Sequence, residues 1–202
     1  PRVGAGPMTL PVRGRRVALR RFSEFDADAF ARMNADPVVM ATIGSVADRA
    51  ASDLLLARIG AHHDEHGFGL WCVDLAGECI GFCGLSIPWF RDGVEIGWRL
   101  RSEYWGRGLA SESARLVLDH AFGPLGLTEV ISFTASINER SRRVMEAIGL
   151  TRDHGADFDH PALAEGDPLR AHVLYRMDRA GYRALRESNR PAPPRAEPES
   201  AR

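Results

Sequence analysis

Between Tyr104 and Phe122 the chain reads YWGRGLASESARLVLDHAF. Gly106 and Gly108 flank an arginine, and an amphipathic helical pattern begins at Leu109, with Ala110, Ala114, Val117, Leu118 and Ala121 on one stripe. Glycine at the mouth of a helix forgoes side-chain packing and costs backbone entropy, but it lets a ligand come close to the main chain. The first four N–H groups of a helix have no partner within it, and the aligned peptide dipoles place about half a positive charge there. Such an entry suits an anion. The same glycines would also serve a plain tight turn.

Two common phosphate motifs are excluded. A Walker loop requires G-x-x-x-x-G-K-[ST], and all 26 basic residues of this chain are arginine. A dinucleotide fingerprint requires G-x-G-x-x-G, and no third glycine follows Gly106-Arg107-Gly108-Leu109-Ala110 at that spacing. A third pattern, H-x-x-E-H at His62, Glu65 and His66, matches a zinc-peptidase signature. It sits at the end of a polar helix beside Gly67 with no acidic ligand marked out downstream, so a solvated helix end is the better reading and no metal is expected.

The elements that must position the loop follow from periodicity. A strand is predicted over 15–22 and helices over 23–36 and 45–67, with Ser23 as an N-cap. Three strands come next, at 68–75, 78–87 and 94–100. The helix from Leu109, a strand at 128–135, a short helix at 138–149 with Asn138 at its N-cap and Gly149 past its end, a strand at 171–178 and a terminal helix complete the pattern. Antiparallel strands followed by strand–helix–strand–helix–strand predict a mixed α/β sheet, with a parallel pair where the helix at 109 crosses over. The glycine loop then lies at the carboxyl end of a strand, where open sheets bind ligands.

Composition sets the remaining bounds. The 202 residues fit one domain over 12–187, with a disordered lead-in at 1–11 and a disordered Pro-rich tail at 188–202. A formal net charge of −1 gives no reason to expect nucleic acid or a membrane surface as partner. No apolar run approaches the about 20 residues of a membrane span, and no signal peptide is seen. Cys72, Cys79 and Cys83 fit no zinc spacing and read as reduced residues of the sheet or core in a cytoplasmic protein.

The stretch Trp105-Gly106-Arg107-Gly108-Leu109-Ala110 resembles the Q/R-x-x-G-x-G/A acetyl-CoA pyrophosphate loop of the GNAT N-acetyltransferases. Trp105 replaces the usual Gln or Arg, a change seen in the branch similar to RimJ and RimL. VEIGWRL before the loop, NERSRRVMEAIGL after it and the strand HVLYRM resemble that branch in order and spacing, over roughly residues 12 to 180. The resemblance implies the GNAT fold: a mostly antiparallel sheet flanked by helices, with a parallel pair splayed at the acetyl-CoA site. It implies a cytoplasmic acyltransferase that moves an acetyl group to an amine by direct attack on the thioester. A homodimer is one assembly open to it.

Carried onto this chain, the resemblance assigns the diphosphate to main-chain N–H groups from Arg107 to Ser111, within a loop of Trp105, Gly106, Arg107, Gly108, Leu109, Ala110 and Ser111. The pantetheine arm falls to the strand carrying Trp98, Arg99 and Leu100, and a main-chain N–H near Trp98 is the donor for the thioester oxygen. Asn138 can cap its helix or turn its amide toward the cofactor arm. Many relatives place a Tyr where Met145 stands; Ser141 is the family-consistent substitute for assisting the thiolate, and equally an ordinary helix residue. Glu95 is the candidate base, with Asp157, Asp159 and His160 as a second set, because strand alternation leaves the aim of Glu95 open. The acceptor amine, on a peptide N-terminus or a small molecule, would meet residues 38–44, 88–90 and Phe158. Loss of the Tyr keeps a non-catalytic acyl-CoA-binding module as the alternative.

Overall fold

The computed structural model describes residues 12–188. In chain order the elements are β1 (Val12–Arg13), β2 (Ala18–Arg20), α1 (Ala27–Ala35), α2 (Pro37–Met40), α3 (Arg49–His66), β3 (Leu70–Leu75), β4 (Glu78–Ser86) and β5 (Glu95–Leu100). There follow α4 (Leu109–Phe122), β6 (Glu129–Ala135), α5 (Glu139–Ala147), β7 (Thr151–Arg152), β8 (Phe158–Asp159), β9 (Ala171–Asp178) and α6 (Arg179–Ser188). Ser188 thus closes a helix, and the remainder of the expected lead-in and tail lies outside the described residues.

The expected mixed α/β sheet is present, with nine strands among the described residues in the order β1-β2-β3-β4-β5-β6-β9-β7, and β8 on β9. Every pairing is antiparallel except β5 with β6, the pair that α4 crosses over. That pair shares one register position, Glu95 opposite Ile131. Beyond it β5 stays on β4 as far as Leu100, and β6 stays on β9 as far as Ala135. The two strands therefore part, and the sheet opens between them.

Local chemistry accounts for the places where the elements differ from the expected spans. The strand predicted over 15–22 is confined to Ala18–Arg20 because Gly14 N–H bonds the Val17 carbonyl at 2.7 Å and turns the chain. The helix predicted over 23–36 divides. Ser23 and Asp26 form a capping box on a 3-10 turn, α1 ends at Ala35, and Asp36 is extended before Pro37, as a residue preceding proline prefers. Asp36 then caps α2 through Val38 N–H at 2.8 Å. In α3, Asp48 accepts from Ala51 N–H and Gly67 closes the helix at φ 77°.

The main core lies between the sheet and α4, where Ala114, Val117, Leu118 and Ala121 meet Ile80, Leu85, Ile96 and Val130. A second cluster, Phe30, Met33, Val39, Met40, Ile59 and Phe82, packs α1, α2 and α3 on the opposite face. Successive β5 side chains alternate between the two. Ile96 and Leu100 are buried toward α4, leaving Glu95, Gly97 and Arg99 toward α1–α3.

The β3–β4 ladder has no room for a side chain at Gly84, where a Cβ would lie 2.1 Å from the Gly69 carbonyl oxygen. Gly84→Ala should cost roughly 1–3 kcal/mol and lower the melting temperature by several degrees. Gly44→Ala, with no atom within 4 Å of the added carbon, should change it little. Thermal melts of the two variants check the contrast.

Candidate active site

A cavity of about 740 Å³ fills the opening between β5 and β6 and continues to α2 and α3. Its first part is main chain. Val94 carbonyl, just before β5, accepts from Ile131 N–H at 2.9 Å and Ile96 carbonyl from Ser132 Oγ at 2.8 Å, so the even-numbered residues here direct their main-chain polar groups at β6. Trp98 has the same phase but faces the gap, where β6 has moved away. The next carbonyl in the series, Leu100, is taken by the Trp105 indole N–H at 2.9 Å. Trp98 thus presents to the cavity an N–H and a carbonyl with no partner across the gap among the described residues, the position expected for binding an extended amide chain and polarising a thioester.

The glycine loop stands at the far end of this opening. Gly106 and Gly108 have φ of 71° and 72°, a left-handed backbone that glycine adopts freely. A Cβ at Gly106 would meet nothing within 4 Å, so conformation and not crowding selects glycine there. α4 begins at Leu109, and its first internal bond runs from Glu112 N–H to Gly108 carbonyl at 3.0 Å. The N–H groups from Gly106 to Ser111 have no acceptor among the described residues. Arg16 holds the loop in place, donating to Arg107 carbonyl at 2.7 Å while its Nε bonds Glu112 at 2.7 Å. Arg140 lies 4.1 Å over the Trp105 ring at the cavity wall, and Arg143, paired with Glu139, lines the same wall. Arg107 instead lies over Tyr104, and Arg142 donates to the Ser136 carbonyl.

α5 forms the opposite wall. Asn138 caps it, accepting from Ser141 N–H at 3.2 Å while its amide N–H donates to Thr134 Oγ1 at 2.9 Å. Of the two uses open to Asn138, the side chain is engaged in capping and in tying the helix to β6. Ser141 and Val144 line the cavity, whereas Met145 is turned into the core at 1% exposure. The residue standing at the family's Tyr position thus has no access to the site.

Glu95 lies at the base of the opening, and the surface it retains faces the cavity. Its single hydrogen-bond partner among the described residues is Ser86 Oγ, at 3.2 Å. Desolvation raises its pKa to about 7, opposed only by that hydrogen bond. The carboxyl is thus poised to take a proton near neutral pH. Its aim, open from strand parity alone, is into the site.

The second set of candidate bases does not assemble. Asp157 pairs with Arg152 at 2.6 Å and Asp159 with Arg170 at 3.1 Å, and neither lines the cavity. His160 does, beside His172, their ring centroids 4.9 Å apart within a cluster of Phe90, Phe133 and Phe158. Burial lowers both imidazole pKa values, which favours their neutral forms. His172 and Phe133 escaped sequence reasoning because only the β6–β9 pairing brings them here. Val39, Thr42 and Ile43 supply the apolar wall expected from residues 38–44. Ser86, Asn34 and Thr134 also act here without any local signal, each known only through the side chain it meets.

The His62 and His66 rings lie 4.4 Å apart, tilted by 55°, on the end of α3, and Glu65 is exposed. Among the described residues, the potential ligand atoms that converge belong instead to Asp26, Cys72 and Cys79. There Arg20 bonds both Asp26 carboxylate oxygens, at 2.6 and 2.8 Å. All three cysteines are buried and unpaired. No helix among the described residues is long and apolar enough to cross a membrane.

Comparison with known proteins agrees with this geometry. The acetyltransferase (GNAT) domain model matches residues 16–151. The FsC-acetyl coenzyme A-N(2)-transacetylase of Aspergillus fumigatus is 39% identical over 113 residues, covering 50% of this chain and 48% of that protein, so the chain spans about half the length of that relative. A solved acetyltransferase from Agrobacterium tumefaciens superposes with a TM-score of 0.70 at 29% identity, covering 84% of this chain and 95% of that one. Mycobacterium smegmatis RimJ, solved with a CoA-disulfide, has the same fold at a TM-score of 0.68 and 19% identity, over 86% of this chain and 90% of its own. Matched by the family domain over more than half its length, with the opened sheet and glycine-led helix on which that fold is built, the chain belongs to the GNAT acetyltransferase family.

Proposed function

We propose that the chain transfers an acetyl group from acetyl-CoA to a primary amine, on a protein N-terminus or a small molecule. The observation that carries the reading is the continuity of three features along one cavity. They are main chain at Trp98 and six N–H groups from Gly106 to Ser111 that have no partner among the described residues, and a desolvated carboxyl at Glu95. The relative named as an N(2)-transacetylase supports nitrogen as the accepting atom. Three buried, unpaired thiols suit a reducing compartment, the cytoplasm.

Acetyl-CoA supplies a thioester whose acyl carbon the amine attacks, forming C–N and breaking C–S. The chain's own groups act around that exchange. Main-chain N–H groups of Gly106–Ser111 hold the diphosphate, and Trp98 N–H stabilises negative charge on the carbonyl oxygen. Glu95 in its ionised form takes a proton from the ammonium, directly or through water. Ser141 hydroxyl hydrogen-bonds the departing sulfur.

Acetyl-CoA should raise the melting temperature, since a ligand that binds the folded state stabilises it by mass action. Gly108→Val, which places a β-branched residue at φ 72°, should weaken binding about tenfold, because the free loop would relax out of the left-handed backbone and the ligand would have to restore it at a cost of roughly 1–2 kcal/mol. Arg107→Ala should weaken it far less. Equal losses by calorimetry would assign the diphosphate to the arginine side chain.

Glu95 links rate to stability. The rate should rise with pH through about 7 as the carboxyl ionises, and Glu95→Gln should lose that limb. Between its ordinary pKa of 4.5 and about 7 the folded chain holds a proton that the unfolded chain has released, so stability falls across this interval as pH rises. Glu95→Gln should therefore melt above the wild type at pH 8, by roughly 1–3 kcal/mol, with the advantage gone near pH 4.5. An unchanged limb in the variant would place the base elsewhere.

Ser141→Ala should lower kcat about tenfold or more while leaving acetyl-CoA affinity close to wild type, because the hydroxyl acts mainly in the transition state. Full turnover in this variant would reduce Ser141 to a helix residue.

A further inference from the structure

Arg99 is a half-buried cation held in place by neutral groups. Its Nη1 donates to Asn34 Oδ1 at 2.6 Å, and the guanidinium lies 5.3 Å from the Phe82 ring. Nε is buried without an acceptor, and no carboxylate among the described residues lies within 4.0 Å. Asn34 cannot turn to relieve this. It is fully buried, and its amide nitrogen donates to Ser52 Oγ at 3.3 Å, which fixes Oδ1 toward the guanidinium. Burial alone lowers the Arg99 pKa, to about 10, so the group remains charged at neutral pH.

The same chain treats another enclosed arginine differently. Arg20 is met by Asp26 at 2.6 Å and Asp74 at 3.0 Å, so its charge is compensated within the fold. A guanidinium offers five donors in a rigid fork, and a cation left uncompensated in a low-dielectric wall costs stability unless an anion reaches it. Arg99 lines the cavity, and it shares a β5 face with Glu95 and Gly97. A Cβ at Gly97 would meet nothing nearer than Glu95 Oε1 at 3.8 Å, so the strand surface between Glu95 and Arg99 is open. The alternation that sends Arg99 toward α1 also turns it from α4 and α5, which carry the diphosphate cradle and Ser141.

We propose that Arg99 binds a carboxylate carried by the amine acceptor, making the enzyme selective for acidic acceptors. The proposal rests on the acetyl-transfer reading above and names the substrate class of that site. Four residue steps separate Glu95 from Arg99, about 13 Å between their Cα atoms at about 3.3 Å per residue, a distance that the two side chains and the acceptor bridge together. That span favours a carboxylate several bonds from the amine, as in an ω-amino acid or an acidic side chain one residue in from a peptide N-terminus.

Matched acceptors test this with the full chain: Ala-Glu, Ala-Gln and Ala-phosphoserine dipeptide amides, and γ-aminobutyrate against its amide, followed by thiol release. A carboxylate should raise kcat/KM at least about tenfold over the carboxamide, mainly through KM, as expected for a charge-assisted, forked contact. In Arg99→Gln the ratio should fall to near one, and Arg99→Lys should restore part of it. Asn34→Asp supplies the missing counter-charge internally and should also erase the preference, a result that a merely structural arginine would not give. A ratio near one in the wild type, or one unmoved in both Arg99→Gln and Asn34→Asp, overturns the proposal. A phosphoserine peptide preferred tenfold over its glutamate counterpart overturns the carboxylate assignment. A readout without turnover keeps the two readings apart: N-acetyl-Ala-Glu amide should stabilise the CoA-saturated wild type more than N-acetyl-Ala-Gln amide, and Arg99→Gln should remove the difference. No stabilisation by CoA itself would count against acetyl transfer, whereas equal stabilisation by the two peptides would count against Arg99.

Discussion

One shared rung between β5 and β6 governs the rest of the site. At Glu95 and Ile131 the two strands touch, and beyond that point each follows its own antiparallel partner, β4 or β9. Polar main chain left between diverging strands must be satisfied, because an unpaired buried amide costs more than an average hydrogen bond returns. The fold satisfies part of it with side chains: Ser132 Oγ bonds Ile96 carbonyl and the Trp105 indole bonds Leu100 carbonyl. The Trp98 main chain instead borders the cavity, where a ligand with amides of its own could meet it. α4 starts at the wide end of the same opening, so a ligand lying along β5 reaches the unpaired N–H groups of Gly106–Ser111 with its charged end.

Strand alternation then separates two tasks on six residues. The edge of β5 that faces β6 offers its main chain to the cavity. Its side chains face either α4, where Ile96 and Leu100 complete the core, or α1–α3, where Glu95 and Arg99 stand across Gly97. Both of these charged residues are desolvated, with opposite consequences. Burial pushes the Glu95 carboxyl up to about 7, within reach of protonation, while the Arg99 guanidinium retains its charge even when lowered to about 10. The carboxyl can therefore stand in either protonation state near neutral pH, and the guanidinium keeps its positive charge.

The glycine loop and the starts of α4 and α5 were legible in the sequence because their signals are local. Two glycines before an amphipathic run, and an asparagine before a second one, mark helix entries through rules that act within a few residues. Glu95 was legible as a candidate, but its aim was not, since alternation gives two faces without saying which one is occupied. Ser86 under Glu95, Asn34 behind Arg99 and His172 beside His160 required the tertiary fold. The two-residue strands β7 and β8 are too short to show a period. Asp157 and Asp159 illustrate the opposite failure. They looked available from their loop, and yet in a chain with 26 arginines each is drawn into an ion pair, with Arg152 and with Arg170.

Helix phase decides which residue of α5 can meet the leaving sulfur. Asn138 fixes that phase: its side chain caps the helix through Ser141 N–H and is anchored to β6 through Thr134. With the helix so set, Ser141 and Val144 turn to the cavity and Met145 to the core, beside Ile148 and Leu150. A tyrosine at 145 in this orientation would bury its hydroxyl among apolar groups, where an unmet O–H costs about 1–3 kcal/mol. Methionine fills the same space without a polar tip. Methionine at 145 thus suits the way α5 sits against the core, and the hydroxyl that α5 presents to the cavity, beside the guanidinium groups of Arg140 and Arg143, is that of Ser141.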